Sequence, residues 1–266
     1  MLKVGSSRLL GALLASGACL GACAATEREQ PAKAQVSPVT SASDAGSANA
    51  APGAVRAPAL ALEDRHIDWS LNPTMQTLGK VAETLTESVY SHGTRVDERR
   101  GIYAFDCSGM AIWVLGKANP KAARSVARGL GGRPLARDFQ RRLSRAPTDN
   151  PRDGWSRIAR VQDAAPGDVL AWIKPSIIDS PNTGHVAFIV LPPQRLPGYD
   201  NAFLVRIADS TSLLHDADTR VGRSGFGLGT ILLVTNPQTG APEAYGWVGT
   251  RYRVFETAIA IGRPAE

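Results

Sequence analysis

The sequence predicts an α+β domain with a mainly antiparallel β-sheet, and three observations support this prediction. The chain has 266 residues, and about 205 of them follow an N-terminal segment, which is enough for one well-buried domain. Up to Asn150, apolar residues recur at helical spacing. After Asn150, short runs rich in β-branched and aromatic residues are separated by Pro, Gly, Asn and Asp, as is typical of strands. Helices followed by strands favour an α+β fold.

Four segments of the first half are predicted to be helices. Asn72-Pro73-Thr74 has the residue types of a helix start, because Asn caps a first turn and Pro fits its backbone. The apolar residues that follow at helical spacing are Met75, Leu78, Val81, Leu85 and Val89. The other predictions are a loop over Ser91–Gly101 and helices over Cys107–Lys117, Pro120–Arg128 and Leu135–Arg145, with Asn119-Pro120 ending the first of these three.

The second half is predicted to form consecutive strands. Each β-rich run is short and is bounded by residues that favour turns. The predicted strands are Val169–Ile173, His185–Leu191, Phe203–Ala208, Thr230–Val234 and Tyr252–Ile261.

Residues 1–23 are predicted to be an export signal. Lys3 and Arg8 precede an apolar run, Leu9–Leu20, that is too short and too interrupted to span a membrane. The run ends in Leu20-Gly21-Ala22-Cys23, which resembles the lipobox of bacterial lipoproteins. This resemblance implies lipidation of Cys23 and a protein that is lipid-anchored to the outer membrane and faces the periplasm. Ordinary cleavage next to Ala24, which would release a soluble periplasmic protein, is the alternative.

Residues 24–60 are predicted to be a flexible tether, and residues 61–266 the folded domain. The tether consists mainly of Ala, Ser, Pro, Gly, Thr and Val and contains no aromatic residue. Such a segment cannot bury enough apolar surface to offset the entropy lost on ordering.

The formal net charge of +6 is concentrated in one stretch. Between Lys117 and Arg145 lie nine Lys or Arg residues and one acid, Asp138. A solvated helical face explains this pattern, and contact with anionic headgroups or acidic wall polymers is the alternative. Nucleic acid is not an expected partner of an exported lipoprotein. The sequence contains none of the common metal-binding or nucleotide-binding motifs, so we expect no metal and no cofactor.

Cys107 is the candidate nucleophile of this chain. Of the three cysteines, Cys19 and Cys23 lie in the export segment, so the domain holds a single thiol without a disulfide partner. Asp106-Cys107-Ser108-Gly109 precedes an apolar run at a predicted helix start. A helix N-terminus carries partial positive charge and unpaired N–H groups, and both favour the thiolate form of a cysteine.

His185 is the candidate base. The chain has four histidines, and His185 opens the run Gly184–Val190 at the start of a predicted strand. A helix that packs on a sheet can bring a cysteine at its first residue next to a histidine at a strand start, as a thiolate–imidazolium pair requires. An ordinary histidine at a strand end is the alternative.

Four motifs in order resemble those of the NlpC-type papain-like cysteine peptidases of bacterial cell walls. They are Tyr90-x-His92-Gly93, Phe105-Asp106-Cys107-Ser108-Gly109, Pro166-Gly167-Asp168-Val169-Leu170 and Gly184-His185-Val186. Each motif alone is weak, but their order is fairly specific. The resemblance implies a papain-like fold in which N-terminal helices pack on a mainly antiparallel sheet. His92 stands where the family usually has an aromatic residue.

The resemblance also implies roles for individual residues. Cys107 would be the nucleophile and His185 the base. The third catalytic residue would lie on the strand after the histidine strand, which makes Asp209 the candidate; a strand-end turn capped by Asp209 is the alternative. His215 is a weaker candidate for the same role, or a residue that lines the cleft. Tyr90 would donate its hydroxyl to the oxyanion.

Asp106 and Ser108 are assigned to substrate binding by the same resemblance. They would line a pocket for the free amine of a stem peptide, since a carboxylate suits a cationic group. Helix capping by Asp106 and the small size of Ser108 and Gly109 are structural explanations that are compatible with these roles.

The sequence thus predicts a monomeric lipoprotein that hydrolyses amide bonds in peptidoglycan stem peptides, with the bond between D-Glu and diaminopimelate as the expected target. One alternative is a papain-like amidase or acyltransferase that acts on lipid or another amide. The other is a non-catalytic lipoprotein that binds peptidoglycan.

Overall fold

The computed structural model describes residues 66–220, 224–247 and 253–265. The predicted export segment, the lipidation site at Cys23 and the tether lie outside these residues. The described part is an α+β domain with mostly antiparallel sheets, as predicted. Its helices are α1 (Pro73–Thr84), α2 (Cys107–Ala118), α3 (Pro120–Ala127) and α4 (Ala136–Ser144).

The strands of the described residues form two sheets. A small sheet has the order β1-β3-β2, and in it β1 and β3 are parallel. The large sheet has the order β11-β10-β9-β8-β6-β5-β12-β4, with β7 beside β8, and all its neighbours are antiparallel. The strands are β1 (Glu87–Tyr90), β2 (Arg95–Asp97), β3 (Ile102–Phe105), β4 (Trp155–Ile158), β5 (Val169–Ile173), β6 (Gly184–Ile189), β7 (Gln194–Arg195), β8 (Ala202–Thr211), β9 (Gly225–Thr235), β10 (Pro242–Trp247), β11 (Arg253–Glu256) and β12 (Ile259–Pro264).

The helix α1 begins as predicted but ends earlier. The Asn72 side chain accepts a hydrogen bond from the Met75 N–H at 3.0 Å, which is the expected cap. The prediction that Leu85 and Val89 continue the helix is wrong. Leu85 is extended, and Val89 lies in β1 with 42% of its surface exposed. The backbone after Leu85 pairs with β3, and these sheet hydrogen bonds override the helical spacing of the apolar residues.

Two further predictions about elements are corrected. The predicted loop Ser91–Gly101 contains β2, which pairs with β3. The predicted strand Tyr252–Ile261 is divided between β11 and β12, and β12 lies between β4 and β5 in the sheet. Neither β4 nor β10 was predicted. Short strands of mixed polarity have little periodicity, so only their partners in the sheet define them.

Alternate residues of the central strands belong to two different apolar clusters, which lie on opposite faces of the large sheet. On β6, Val186 and Phe188 belong to the cluster that contains the helices, whereas Ala187 and Ile189 belong to the second cluster. This is the period of two that a pleated strand imposes. Packing of α2 against β6 and β8 brings the first residue of α2 close to the start of β6 and the end of β8.

No helix among the described residues is long and apolar enough to cross a membrane. Several side chains of the basic stretch Lys117–Arg145 form ion pairs while staying partly exposed. Lys117 pairs with Glu98 at 2.6 Å, and Arg128 and Arg142 both bind Asp153. Exposed ion pairs of this kind contribute little to stability.

Candidate active site

Cys107 is the first residue of α2, and only Asp106 separates it from the buried strand β3. Asp106 caps the helix, since its Oδ1 accepts a hydrogen bond of 2.7 Å from the Gly109 N–H. Cys107 is the free cysteine of the described residues and is 6% exposed. The Ser210 hydroxyl on β8 donates a 2.7 Å hydrogen bond to the Phe105 carbonyl, which fixes the start of α2 against that strand. The thiol is therefore held at a positive helix end.

His185 is the second residue of β6, and the glycine before it is required by the backbone. Gly184 has φ of +144°, and a Cβ at this position would lie 1.8 Å from the carbonyl oxygen of Trp172. Trp172 is the partner of His185 in the β5–β6 register, and their ring centroids are 4.9 Å apart. Only a glycine allows the two strands to approach this closely, which explains the Gly-His order physically.

Asp209 reaches the ring of His185. Its Oδ2 lies 2.6 Å from Nε2 of His185, and the Asp209 side chain is fully buried. Asp209 sits within β8 and pairs with Gly227 on β9, so it is not the cap of a strand-end turn. Because Asp209 takes Nε2, the other ring nitrogen, Nδ1, is left for the Cys107 thiol. Cysteine, histidine and aspartate thus come from a helix start and two adjacent strands.

The pKa of His185 is raised from its ordinary value of 6.5 to about 10. Burial acts against the charged ring, but the charge of Cys107, the hydrogen bond to Asp209, hydrogen bonding with Cys107 and the Asp209 charge together exceed that effect. The two neighbours on either side of the imidazole therefore stabilise its protonated form. This geometry favours an imidazolium held between the sulfur of Cys107 and the carboxylate of Asp209.

His215 and Arg220 complete a buried charge cluster around Asp209. Nε2 of His215 lies 2.9 Å from Asp209 Oδ2, so both histidines share one carboxylate oxygen. Arg220 binds Asp209 Oδ1 and Asp218, and its Nε donates a 2.9 Å hydrogen bond to the Gly225 carbonyl. Burial would raise the pKa of Asp209, but His215, Arg220 and the hydrogen bonds from the histidines hold it well below its ordinary value of 3.8.

Sequence reasoning missed Arg220, although a signal for it exists. Gly225, Gly227 and Gly229 alternate along β9, and glycine in a strand interior often marks a close approach of another group. A Cβ at Gly227 would lie 2.4 Å from Cγ of Arg220, and one at Gly229 would lie 2.5 Å from the ring of His215. The alternating glycines leave the space into which these two side chains fit.

The carboxylate of Asp106 is hydrogen-bonded to other side chains of this protein. Its carboxylate accepts hydrogen bonds from the Ser108 hydroxyl at 3.0 Å and from Arg133, at 2.9 Å to Oδ1 and 2.5 Å to Oδ2. Nδ1 of His92 lies 3.0 Å from Oδ2. Burial opposes ionisation of Asp106, but these donors and the Gly109 N–H lower its pKa below 3.8. A guanidinium group therefore occupies the position in which a substrate amine was expected.

Tyr90 is half-buried next to the cysteine. Burial, followed by the charges of Cys107 and Asp106, raises the pKa of its hydroxyl to about 12. The hydroxyl therefore keeps its proton at neutral pH and can act as a hydrogen-bond donor.

Two cavities lie next to the cysteine and the histidine. One, of about 210 Å³, contains Cys107 and the Asp106–Arg133 pair. The other, of about 170 Å³, contains His185. Tyr90, Asn182 and Gly184 line both cavities. The second cavity is walled by aromatic rings, and Trp247 stacks on His215 with centroids 4.6 Å apart. The two cavities are therefore neighbours, and the candidate nucleophile lines the first of them and the candidate base the second.

The described residues contain no cluster of three or more side chains able to hold a metal ion. No family model, no curated protein and no solved structure matches this chain.

Proposed function

We propose that this protein is a cysteine hydrolase of papain-like fold that cleaves amide bonds in peptidoglycan stem peptides. The observation that carries the chemistry is the 2.6 Å contact between Asp209 and the His185 ring, which leaves the other ring nitrogen for Cys107. The substrate class is supported by the four ordered motifs that resemble NlpC-type peptidases.

In the first half of the reaction, Sγ of Cys107 attacks the carbonyl carbon of the scissile amide while His185 holds the thiol proton. The carbonyl oxygen becomes an oxyanion. The Tyr90 hydroxyl and the free N–H groups in the first turn of α2 are the donors available to it. When the C–N bond breaks, the proton on His185 passes to the leaving amine, and a thioester with Cys107 remains.

In the second half, a water molecule gives a proton to His185 and attacks the thioester carbonyl. The C–S bond breaks, the carboxylic acid product leaves, and the proton returns to the Cys107–His185 pair. Asp209 stays ionised throughout, because Arg220 and His215 stabilise its negative charge. Its role is to orient the imidazole and to stabilise the imidazolium.

The cellular position follows from the N-terminal motif. We propose that Cys23 is lipidated, that the outer membrane holds the domain on the periplasmic side, and that the protein acts as a monomer without a cofactor. Release of the protein from membranes by Cys23→Ser, with no change in its activity on isolated cell walls, is the expected result. Continued membrane association of that variant would contradict the anchor.

The test of the reaction uses purified peptidoglycan sacculi and matched variants of one residue. Wild type is expected to release muropeptides with new D-Glu carboxyl and diaminopimelate amino ends, detected by liquid chromatography and mass spectrometry. Cys107→Ala and Cys107→Ser are expected to release none, and Cys107→Ser is the control that preserves the size of the side chain. Identical muropeptide profiles for wild type and Cys107→Ala would overturn the peptidase proposal.

A parallel incubation with phospholipid vesicles separates the peptidase from an acyltransferase. If only wild type turns over lipid while the sacculi stay intact, the same cysteine chemistry acts on lipid and the peptidase proposal fails. Alkylation of Cys107 by iodoacetamide, followed by peptide mapping, tests for a non-catalytic protein. An activated thiolate reacts below the pH at which an ordinary cysteine ionises. Reaction only above that pH would contradict catalysis.

A further inference from the structure

The 210 Å³ cavity beside Cys107, here called the Arg133 cavity, has an unusual charge arrangement for a site next to a nucleophile. Its lining contains one acid, Asp106, one guanidinium, Arg133, and His92. A carboxylate in such a place could recognise a cationic substrate group. In this chain, the guanidinium of Arg133 already occupies the position of that cationic group. The cavity therefore has to recognise a different kind of substrate group.

The Asp106 carboxylate has no acceptor position left for a substrate. An ionised carboxylate offers about four lone-pair sites. Oδ1 accepts from the Gly109 N–H, the Ser108 hydroxyl and Arg133, and Oδ2 contacts Arg133 and His92. The Asp106 side chain is only 6% exposed. A substrate ammonium group could reach it only by displacing the guanidinium of Arg133.

Ser108 is occupied by the same side chain. Its hydroxyl accepts a 2.9 Å hydrogen bond from Nη1 of Arg133 while donating to Asp106. Arg133 therefore joins the two residues that would otherwise bind an amine. The three side chains form a closed set of charge-assisted hydrogen bonds, which are stronger than neutral ones.

Arg133 itself still has donors to offer. Its side chain is 37% exposed and lines the cavity. Nη1 uses both of its protons on Asp106 and Ser108, and Nη2 uses one on Asp106. Among the described residues, Nε and the second Nη2 proton have no hydrogen-bond partner. A guanidinium with free N–H groups beside an already neutralised acid favours a carboxylate and repels an ammonium group.

We propose that Arg133 is a specificity-determining residue that closes the amine site of Asp106 and Ser108 and selects a carboxylate-bearing substrate group in the Arg133 cavity. This inference rests on the proposed hydrolase function and deepens it, because it assigns the charge of the group that lies on the Asp106 side of Cys107. The substrate is then a stem peptide whose terminal amine is blocked, with an anionic group near that end.

The first experiment measures kcat/KM for three synthetic stem tripeptides, L-Ala-γ-D-Glu-diaminopimelate with a free, an N-acetylated or an N-succinylated terminus. These probes carry a positive, a neutral and a negative group at one position. The pH is fixed above the ordinary pKa of histidine. Wild type is expected to prefer the succinyl peptide to the free amine by about tenfold or more, the size of one charge-assisted hydrogen bond. Equal rates, or a preference for the free amine, would overturn the proposal.

Two variants separate the roles of the charges. Arg133→Gln uncovers Asp106, so the preference is expected to reverse towards the free amine. In the double variant Asp106→Asn, Arg133→Gln, both charges are absent and Asn still caps α2. The double variant is expected to lose the anionic preference without gaining an amine preference. It also keeps the test valid if Arg133→Gln alone fails to fold. Arg141→Gln, an exposed arginine of α4 outside the cavity, is the matched control and should keep the wild-type order.

The second experiment does not need turnover. The rates at which anionic iodoacetate and neutral iodoacetamide alkylate Cys107 are measured by peptide mapping, and their ratio reports the charge of the cavity. Arg133→Gln is expected to lower this ratio by about tenfold relative to wild type and Arg141→Gln. An unchanged ratio overturns the proposal. A lowered ratio in a protein that cleaves none of the peptides supports the charge assignment and shows that the hydrolase proposal is the part that fails.

Discussion

Two buried aspartates lie on either side of the Cys107–His185 pair, and each is bound by one arginine and by histidine. Asp106 pairs with Arg133 and His92, and Asp209 pairs with Arg220, His185 and His215. In both clusters the arginine lowers the pKa of the carboxyl group. The chemistry of the two clusters is thus nearly the same.

Their exposure differs, and this difference separates their roles. The side chains of Arg133 and His92 are 37% and 66% exposed and face a cavity. Those of Arg220 and His215 are completely buried. Side chains that reach solvent can exchange hydrogen-bond partners with a substrate, whereas fully buried side chains are out of a substrate's reach and hold the groups that they contact. The comparison indicates that the Asp106 cluster is for recognition and that the Asp209 cluster is for orientation of His185.

The largest effect is expected from Asp209→Asn. An amide keeps the shape but cannot stabilise the imidazolium, so kcat should fall between about 10²- and 10⁴-fold. Asp106→Asn is the matched variant, and its effect on kcat should be at least about tenfold smaller, because Asn still caps α2. Steady-state kinetics on the N-succinyl tripeptide checks both. Equal losses of kcat would refute the division of roles.

The next effect concerns stability. Arg220→Gln removes the buried arginine that Asp209 and Asp218 share, which should lower the free energy of unfolding by about 3–5 kcal/mol. Arg133→Gln should lower it by only about 1–2 kcal/mol, because water can replace a partly exposed guanidinium. Urea denaturation followed by tryptophan fluorescence measures both values. A larger loss for Arg133→Gln would contradict the comparison.

A smaller effect on the free energy of unfolding is expected when alanine replaces a glycine that lies against the Asp209 or the Asp106 cluster. Gly227→Ala should cost about 1–3 kcal/mol, since its Cβ would be 2.4 Å from Cγ of the buried Arg220. At Gly109, the new Cβ would be 2.6 Å from the hydroxyl of Thr94, an exposed side chain that can move, and 3.2 Å from Oδ1 of Asp106.

The result expected for Gly109→Ala is therefore a change of less than about 1 kcal/mol, aided by the higher helix propensity of alanine. Gly116→Ala is the control and should be neutral or stabilising, because its Cβ would have no neighbour within 4 Å beyond the adjacent residues and the local backbone of α2. Thermal unfolding of the three variants gives the ranking. If Gly109→Ala is as destabilising as Gly227→Ala, the proposed difference in rigidity between the Asp106 and Asp209 clusters is wrong.

The smallest effect is a shift in the pH profile. Burial lowers the pKa of His185, but Cys107 and Asp209 raise it to about 10, so the imidazolium is present at neutral pH and loses its proton as the pH rises through that value. The alkaline limb of kcat/KM should therefore lie near pH 10 in wild type. Asp209→Asn removes a stabilising partner and should move the limb to lower pH, whereas Asp106→Asn should not. A shift in the second variant alone would contradict the assignment.

Much of the fold was predictable because its signals are local. The cap at Asn72 and the helix that starts at Cys107 were predicted correctly, since capping residues and apolar spacing act within one or two turns. The strands β1, β2, β3, β4, β7 and β10 were missed, because strands this short depend on their partners in the sheet for order. Val89 shows where local signals fail as predictors, since it continues the helical spacing of apolar residues but lies in a strand.

The residues of the candidate site also include some that the sequence could predict and some that it could not. Cys107, His185 and Asp209 could be selected from residue type and motif order, and the structure brings His185 and Asp209 into contact. Arginine is common in this chain, and neither Arg133 nor Arg220 belongs to a motif. The alternating glycines of β9 indicate only that some side chain approaches that strand, and they do not say that it is Arg220. Each of the two arginines reaches its aspartate across a long or irregular stretch of sequence, and only the packed chain shows which of the many arginines does so.

By itself, the sequence determined the chemistry that is available: one thiol at a helix start, a histidine at a strand start, and a glycine before it without which β5 and β6 could not approach. Residue types and local spacing are sufficient for these features. Only the tertiary structure decided how the charges are paired. Burial removes water as a partner, so each carboxylate must take the nearest cation that the fold supplies. At Asp106 that cation is Arg133, and this pairing converts a site expected to bind an amine into one that favours a carboxylate.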